Sequence, residues 1–160
     1  MVRLEKQLDN LTRRFNWLAA GAILAMMLIT CLDVVLRLFR HPIPGTYELV
    51  GLMGTVGVSF ALAYTTLKGG HITVEFLTNR MPKRVRYSVI AAGEFFSAVL
   101  FGILAWQSTL YALDLKQVGE VSLTIEVPVY PFVFSIAFGC LLVFFVLAVN
   151  FYKSLQRIKG

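Results

Sequence analysis

Few side chains in this sequence are of types that do chemistry, and their spacing narrows what they can do. Asp33 and Arg37 stand four residues apart, which puts a carboxylate and a guanidinium on one helix face where they can pair. Arg40 and Glu48 follow shortly after. Asp33, Arg37, Arg40 and Glu48 are expected to gather into one polar cluster that ties two helices together. A carboxylate answered by a guanidinium on its own helix is a poor proton carrier. Glu94 has no obvious partner nearby in sequence, and Lys68 and Asn150 are the residues at similar depth on other segments. A structural hydrogen bond is its plainest role, a contact with another subunit the next, and an ion-coupling site the sharpest alternative. His41 and His71 fall in different loops and do not converge as zinc or haem ligands. No nucleophile–base pair, phosphate-cradling glycine loop or paired-acid constellation is present, so neither an enzyme nor a cofactor is expected.

The elements that carry these residues are four long apolar segments, at about 17–38, 47–67, 87–113 and 128–152. Each is long enough for a hydrocarbon core of about 30 Å, which takes about 20 helical residues. Helices pair their own backbone groups in lipid, whereas a spanning barrel would alternate polar and apolar residues, and these runs do not alternate. The chain of 160 residues is 58% hydrophobic, above the roughly 45–50% of soluble domains, and its mean hydropathy is +0.73. The remaining loops and tails are too short for a soluble domain of ordinary size. The expected fold is all-α: one integral membrane domain, 1–160, of four transmembrane helices.

The net charge of +6 reports topology rather than nucleic-acid binding. Twelve basic residues lie in the N-terminal tail, the 68–86 region and the C-terminal tail, against three (Arg37, Arg40 and Lys116) on the other side. That positive-inside bias predicts both termini in the cytoplasm, with the 39–46 and 114–127 loops outside. Cys31 and Cys140 both fall inside apolar spans, so packed thiols are expected rather than a disulfide framework. The first 16 residues mix Glu5 and Asp9 with the bases, and the first apolar run is span-length, so no cleavable signal peptide is expected.

Leu4, Leu8, Leu11 and Phe15 recur at helical spacing among charged residues, which predicts an amphipathic helix over 1–16 at the cytoplasmic interface. Pro42, Pro44 and Gly45 close a tight hairpin between the first two spans. The link at 68–82 contains a second short amphipathic stretch, and Pro82 suits the first turn of a third helix running to 115, about 50 Å long. Pro128 and Pro131 open the last span. Gly51, Gly54, Gly57 and Ala61, with Gly93/Ser97 and Ala98/Gly102, form small-residue surfaces for close helix approach in a tight four-helix bundle. Phe134, Phe138 and Phe145 give the fourth span a face for lipid or a partner helix, and Trp17, Tyr47, Trp106, Tyr111 and Tyr152 read as interface aromatics. No internal repeat supports an inverted-repeat transporter core.

Asp33-Val-Val-Leu-Arg37, then Pro42-Ile-Pro-Gly-Thr-Tyr-Glu48-Leu, then Gly70-His-Ile-Thr-Val-Glu75-Phe-Leu occur in an order that resembles a known family. Arg80-Met-Pro82, Trp106 and Gly119-Glu-Val-Ser122 ahead of Pro128 extend the resemblance over about residues 10–155. The family is the small membrane subunit of tripartite ATP-independent periplasmic (TRAP) transporters, the DctQ type. The resemblance implies a large elevator-type membrane subunit that holds the substrate and sodium sites. It also implies a periplasmic binding protein that delivers an organic anion, often a carboxylate, and a small subunit acting as fixed scaffold in the bacterial inner membrane. Arg37, Glu48, His71 and Glu75 fall on the family's recurrent polar positions and carry over as structural or subunit-contact residues, not as substrate ligands. His71, Glu75 and Glu94 are the subunit-contact candidates. Arg40, Lys116, Glu120 and Glu126 are the candidates for docking the binding protein. Membrane lipids complete the expected partners, and nucleic acid is not among them. Two alternatives stand beside this reading: a self-sufficient proton-coupled multidrug exporter, which needs an unpaired mid-membrane carboxylate, and a membrane assembly protein outside transport.

Overall fold

A computed structural model describes residues 2–67 and 83–159, with side-chain surroundings for 11–67, 86 and 88–156. The 68–82 link, and with it His71, Glu75 and the second amphipathic stretch, lies outside the described residues. Among the described residues there are four helices: α1 (Val2–Leu38), α2 (Thr46–Leu67), α3 (Lys83–Val118) and α4 (Tyr130–Lys159). Each contains a stretch long and apolar enough to cross a membrane: Leu11–Leu38, Thr46–Leu67, Ser88–Val118 and Tyr130–Gln156. The chain is a multi-pass membrane protein.

The ends of the helices follow from local chemistry. At the end of α1 the His41 amide donates to the Leu36 carbonyl at 3.0 Å and the Arg40 amide to Arg37 at 3.1 Å. This Schellman cap places Arg40 at φ 62°, a conformation that normally goes to glycine. At the end of α3 a glycine takes that place: Gly119 has φ 69° and the Glu120 amide reaches the Leu115 carbonyl at 3.1 Å. Pro131 falls in the first turn of α4, where its missing N–H leaves no helical bond unmade. The first helix is unbroken from residue 2 to 38. At roughly 55 Å it outruns the hydrocarbon core. Phe15, expected on an interfacial face, instead stacks on Phe60 with ring centroids 4.7 Å apart and meets Phe138 edge-on at 5.2 Å.

The described helices of the expected four-helix bundle are arranged as an open row, α1–α2–α4–α3. α2 packs against α1 and α4, and α4 packs against α2 and α3. Two flanks of α4 make this possible. On one, Gly139 faces the Ser59 backbone so closely that an added Cβ would stand 2.5 Å from the Ser59 carbonyl oxygen. On the other, Phe144 lies against Gly102 of α3, 3.4 Å from where its Cβ would be. The most apolar stretch of α4 is therefore one-third buried (33%), against 11% for that of α1. The core runs along α4 through Leu142, Val143 and Leu147, with Ala63 of α2 and Ala98 of α3. The fourth span is thus the interior wall; Phe138 packs on Phe15 and Phe60, while Phe145 remains about half exposed.

The glycines of α2 divide in two. Gly57 and Gly54 face Ile23 and Met26 of α1, and Gly51 meets nothing. Gly93 of α3 is likewise open, whereas Ala98 is buried and Gly102 packs against Phe144. Trp17, Tyr47, Trp106, Tyr111 and Tyr152 are all exposed, and so is Cys31, which was expected to be packed. Gly139→Ala is expected to push α2 and α4 apart and cost about 1–3 kcal/mol, whereas Gly93→Ala leaves stability unchanged or raises it. Thermal unfolding of the detergent-purified chain measures both, and equal midpoints for the two variants would contradict the close contact.

Candidate functional site

Two loops meet at one end of the row, and the polar side chains of the helix ends hold them there. The first loop, 39–45, contains Pro42 and Pro44, which have no N–H to donate, so Ile43 supplies the one amide between them. That amide donates to Asp33 Oδ1 at 2.9 Å. Arg37 Nη2 donates to Asp33 Oδ2 at 2.7 Å. Asp33 is buried, and both of its oxygens are thereby engaged. The Arg37 guanidinium also lies 6.0 Å from the centre of the Tyr47 ring, a cation–π distance. Thr46, at the start of α2, donates its hydroxyl to the Ile43 carbonyl at 3.0 Å. Asp33 therefore fastens the last turns of α1 to the loop that leads into α2.

The second loop is a small hairpin. The Ser122 amide donates to the Val127 carbonyl at 2.9 Å, the Glu126 amide to the Ser122 carbonyl at 3.1 Å, and the Val129 amide to Glu120 at 3.3 Å. Val121 and Pro128 form an antiparallel bridge. Glu48, in the first turn of α2, clasps the tip of this hairpin. Its Oε1 accepts the Thr124 hydroxyl at 2.8 Å and its Oε2 accepts the Thr124 amide at 3.1 Å. Oε2 also accepts the Ser122 hydroxyl. Gly45, at φ 74°, leaves room for the Ile125 side chain, which a Cβ there would overlap. Both loops are thus pinned to the start of α2.

The expected single cluster is two. Asp33 and Arg37 come together, while Glu48 turns away to Ser122 and Thr124. Arg40 joins neither; it is exposed and held in the left-handed backbone region. Lys116, Glu120 and Glu126 are exposed at the same end, and Glu126 also has a positive φ of 53°. Glu94 lies elsewhere: Ser154 of α4 donates its hydroxyl to Glu94 Oε2 at 2.7 Å, so this acid ties α3 to α4 near the opposite end. Ile43, Ser122, Thr124 and Ser154 are the partners that sequence reasoning missed. Ser122 and Thr124 left one faint signal, two hydroxyls at alternate positions of a short loop. The other two left none.

These groups lock helices and loops together; Asp33, Glu48 and Glu94 all spend acceptor capacity on the chain's own donors. Removing the acceptor in Glu48→Ala leaves the hairpin donors unpaired and is expected to cost about 1–3 kcal/mol. Arg40→Gly removes a left-handed backbone penalty and is expected to gain about 1 kcal/mol. Thermal unfolding of both variants reads the two shifts, and a Glu48→Ala chain that unfolds like the parent would show that the clasp holds nothing.

A family model described as "Tripartite ATP-independent periplasmic transporters, DctQ component" matches residues 26–157 of the chain. That stretch contains Asp33, Arg37, Glu48, Glu94 and the entire hairpin. No curated protein matches the chain.

Proposed function

The chain belongs to the DctQ component family of tripartite ATP-independent periplasmic transporters, and we propose that it is the fixed small membrane subunit against which a large elevator-type subunit moves. In this reading the large subunit carries the substrate and sodium sites. A periplasmic binding protein delivers an organic anion of the carboxylate class, and the sodium gradient drives uptake across the bacterial inner membrane. Both termini lie in the cytoplasm by the charge bias of the sequence. The two-loop end then faces the periplasm, where the exposed Arg40, Lys116, Glu120 and Glu126 are available to the binding protein. His71, Glu75 and Glu94 remain contact candidates for the large subunit.

The observation that carries the scaffold reading is how the acids are used. An ion-coupling carboxylate must exchange its partner during transport. Asp33 is committed to Arg37 and the Ile43 amide, Glu48 to Ser122 and Thr124, and Glu94 to Ser154. These bonds join helix to loop and helix to helix, as a support requires. The same commitments disfavour a self-sufficient proton-coupled exporter.

Vesicle uptake of a panel of radiolabelled carboxylates tests the proposal. Vesicles holding this chain alone are expected to accumulate none. Vesicles holding this chain with the large subunit, supplied with the binding protein and an inward sodium gradient, are expected to accumulate one of them. Glu94→Gln is expected to leave both assembly and uptake in place. Uptake by the chain alone would overturn the assignment, and loss of uptake in an assembled Glu94→Gln complex would overturn the structural role of that acid.

A further inference from the structure

One face of α2 is hollowed along its length. Three hollows of about 310, 390 and 260 Å³ follow one another along it. The first lies between Glu48, Gly51 and the hairpin residues Glu120 and Leu123. The second lies over Thr55 and Ser59, with Gly139 and Phe101 as its far wall. The third continues past Val58 and Leu62, which it shares with the second, to Thr65. Positions 48, 51, 55, 58, 62 and 65 recur every three or four residues, so they stack on a single helix face. Over that interval α2 rises about 26 Å, close to the roughly 30 Å of a hydrocarbon core. Taken together, the hollows form an interrupted groove along almost the whole apolar layer.

We propose that this groove receives a transmembrane helix of the large membrane subunit, one that bears an arginine or lysine at its periplasmic end. The proposal rests on the scaffold reading above and specifies the face involved. Two features select a helix over lipid chains. The floor is small: Gly51 has open space where a Cβ would be, and Thr55 and Ser59 follow it. Their hydroxyls are already donated to the Gly51 and Thr55 carbonyls at 2.9 and 2.6 Å, and Thr65 likewise bonds Ala61 at 2.9 Å. Such a surface admits close backbone approach and asks for no polar partner, which is how helices pack in lipid. The mouth is acidic: Glu48 and Glu120 border it, and among the described residues no cation pairs with either. A phospholipid would bring its phosphate to this level against like charge, whereas a basic side chain on a helix end complements it.

The test is recovery of the large subunit with an affinity-tagged copy of this chain, both expressed together and extracted in mild detergent. Val58→Trp and Gly51→Leu fill the groove from exposed positions, and Glu120→Lys reverses charge at its mouth. All three are expected to lower recovery, the tryptophan by about tenfold, with the thermal midpoint of the isolated chain preserved. Leu28→Trp on α1 and Leu100→Trp on α3, also exposed, are expected to recover the large subunit normally. Full recovery with Val58→Trp and Glu120→Lys would overturn the groove assignment and leave that face to lipid, while the subunit role would stand. Failure of the unsubstituted chain to recover any large subunit would overturn the subunit role and the groove with it.

Discussion

Water is absent from the middle of a bilayer, so every polar group that this chain places there has to find its partner within protein. The backbone answers by forming helices. The side chains answer individually, and these answers shape the molecule. Threonine and serine hydroxyls along α2 return to carbonyls one turn back. Asp33 takes the guanidinium of its own helix and the single amide of a proline-flanked loop. Glu48 takes both hydroxyls and an amide of the hairpin. Asp33 and Glu48, at the edge of the apolar layer, fasten one element to another with the same bonds that satisfy them.

Packing supplies the rest. Lipid tails are as apolar as leucine, so helices associate through close fit more than through burial. Gly139 provides that fit between α4 and α2, and Gly102 accepts Phe144 between α3 and α4. With α4 committed on both flanks and α1 touching mainly α2, the four helices spread into a row. A row exposes broad faces on both sides, and many of its outward residues are large and apolar, among them Leu28, Leu38, Phe96 and Trp106. A support for a larger membrane subunit gains contact area from this arrangement that a closed bundle would hide.

The apolar spans were legible because hydropathy and length alone define them, and the observed helices overlap all four. Pro42, Pro44 and Gly45 announced the first turn through backbone chemistry that needs no tertiary context. The Asp33–Arg37 pair was legible because its partners are one helical turn apart. The Glu48 clasp was not, because Ser122 and Thr124 lie more than seventy residues away and loop pairing has no periodicity to read. The row had the same difficulty. Gly139 is a lone glycine in a phenylalanine-rich span, and only the facing Ser59 backbone shows what it is for. The small residues of α2 were visible as a group, but which of them face α1 and which line a groove depends on helix order, which sequence spacing does not encode.

A fixed scaffold keeps one shape while its partner moves. Electron paramagnetic distance measurement in the reconstituted complex tests it directly. One spin label is placed at Leu28→Cys on α1 and the other at Leu100→Cys on α3, with Cys31→Ala and Cys140→Ala removing the native thiols. A fixed scaffold gives one narrow distance distribution, the same with and without sodium and transported solute, under conditions that shift labels on the large subunit. A distance across the row that changed with sodium or solute would contradict a fixed scaffold.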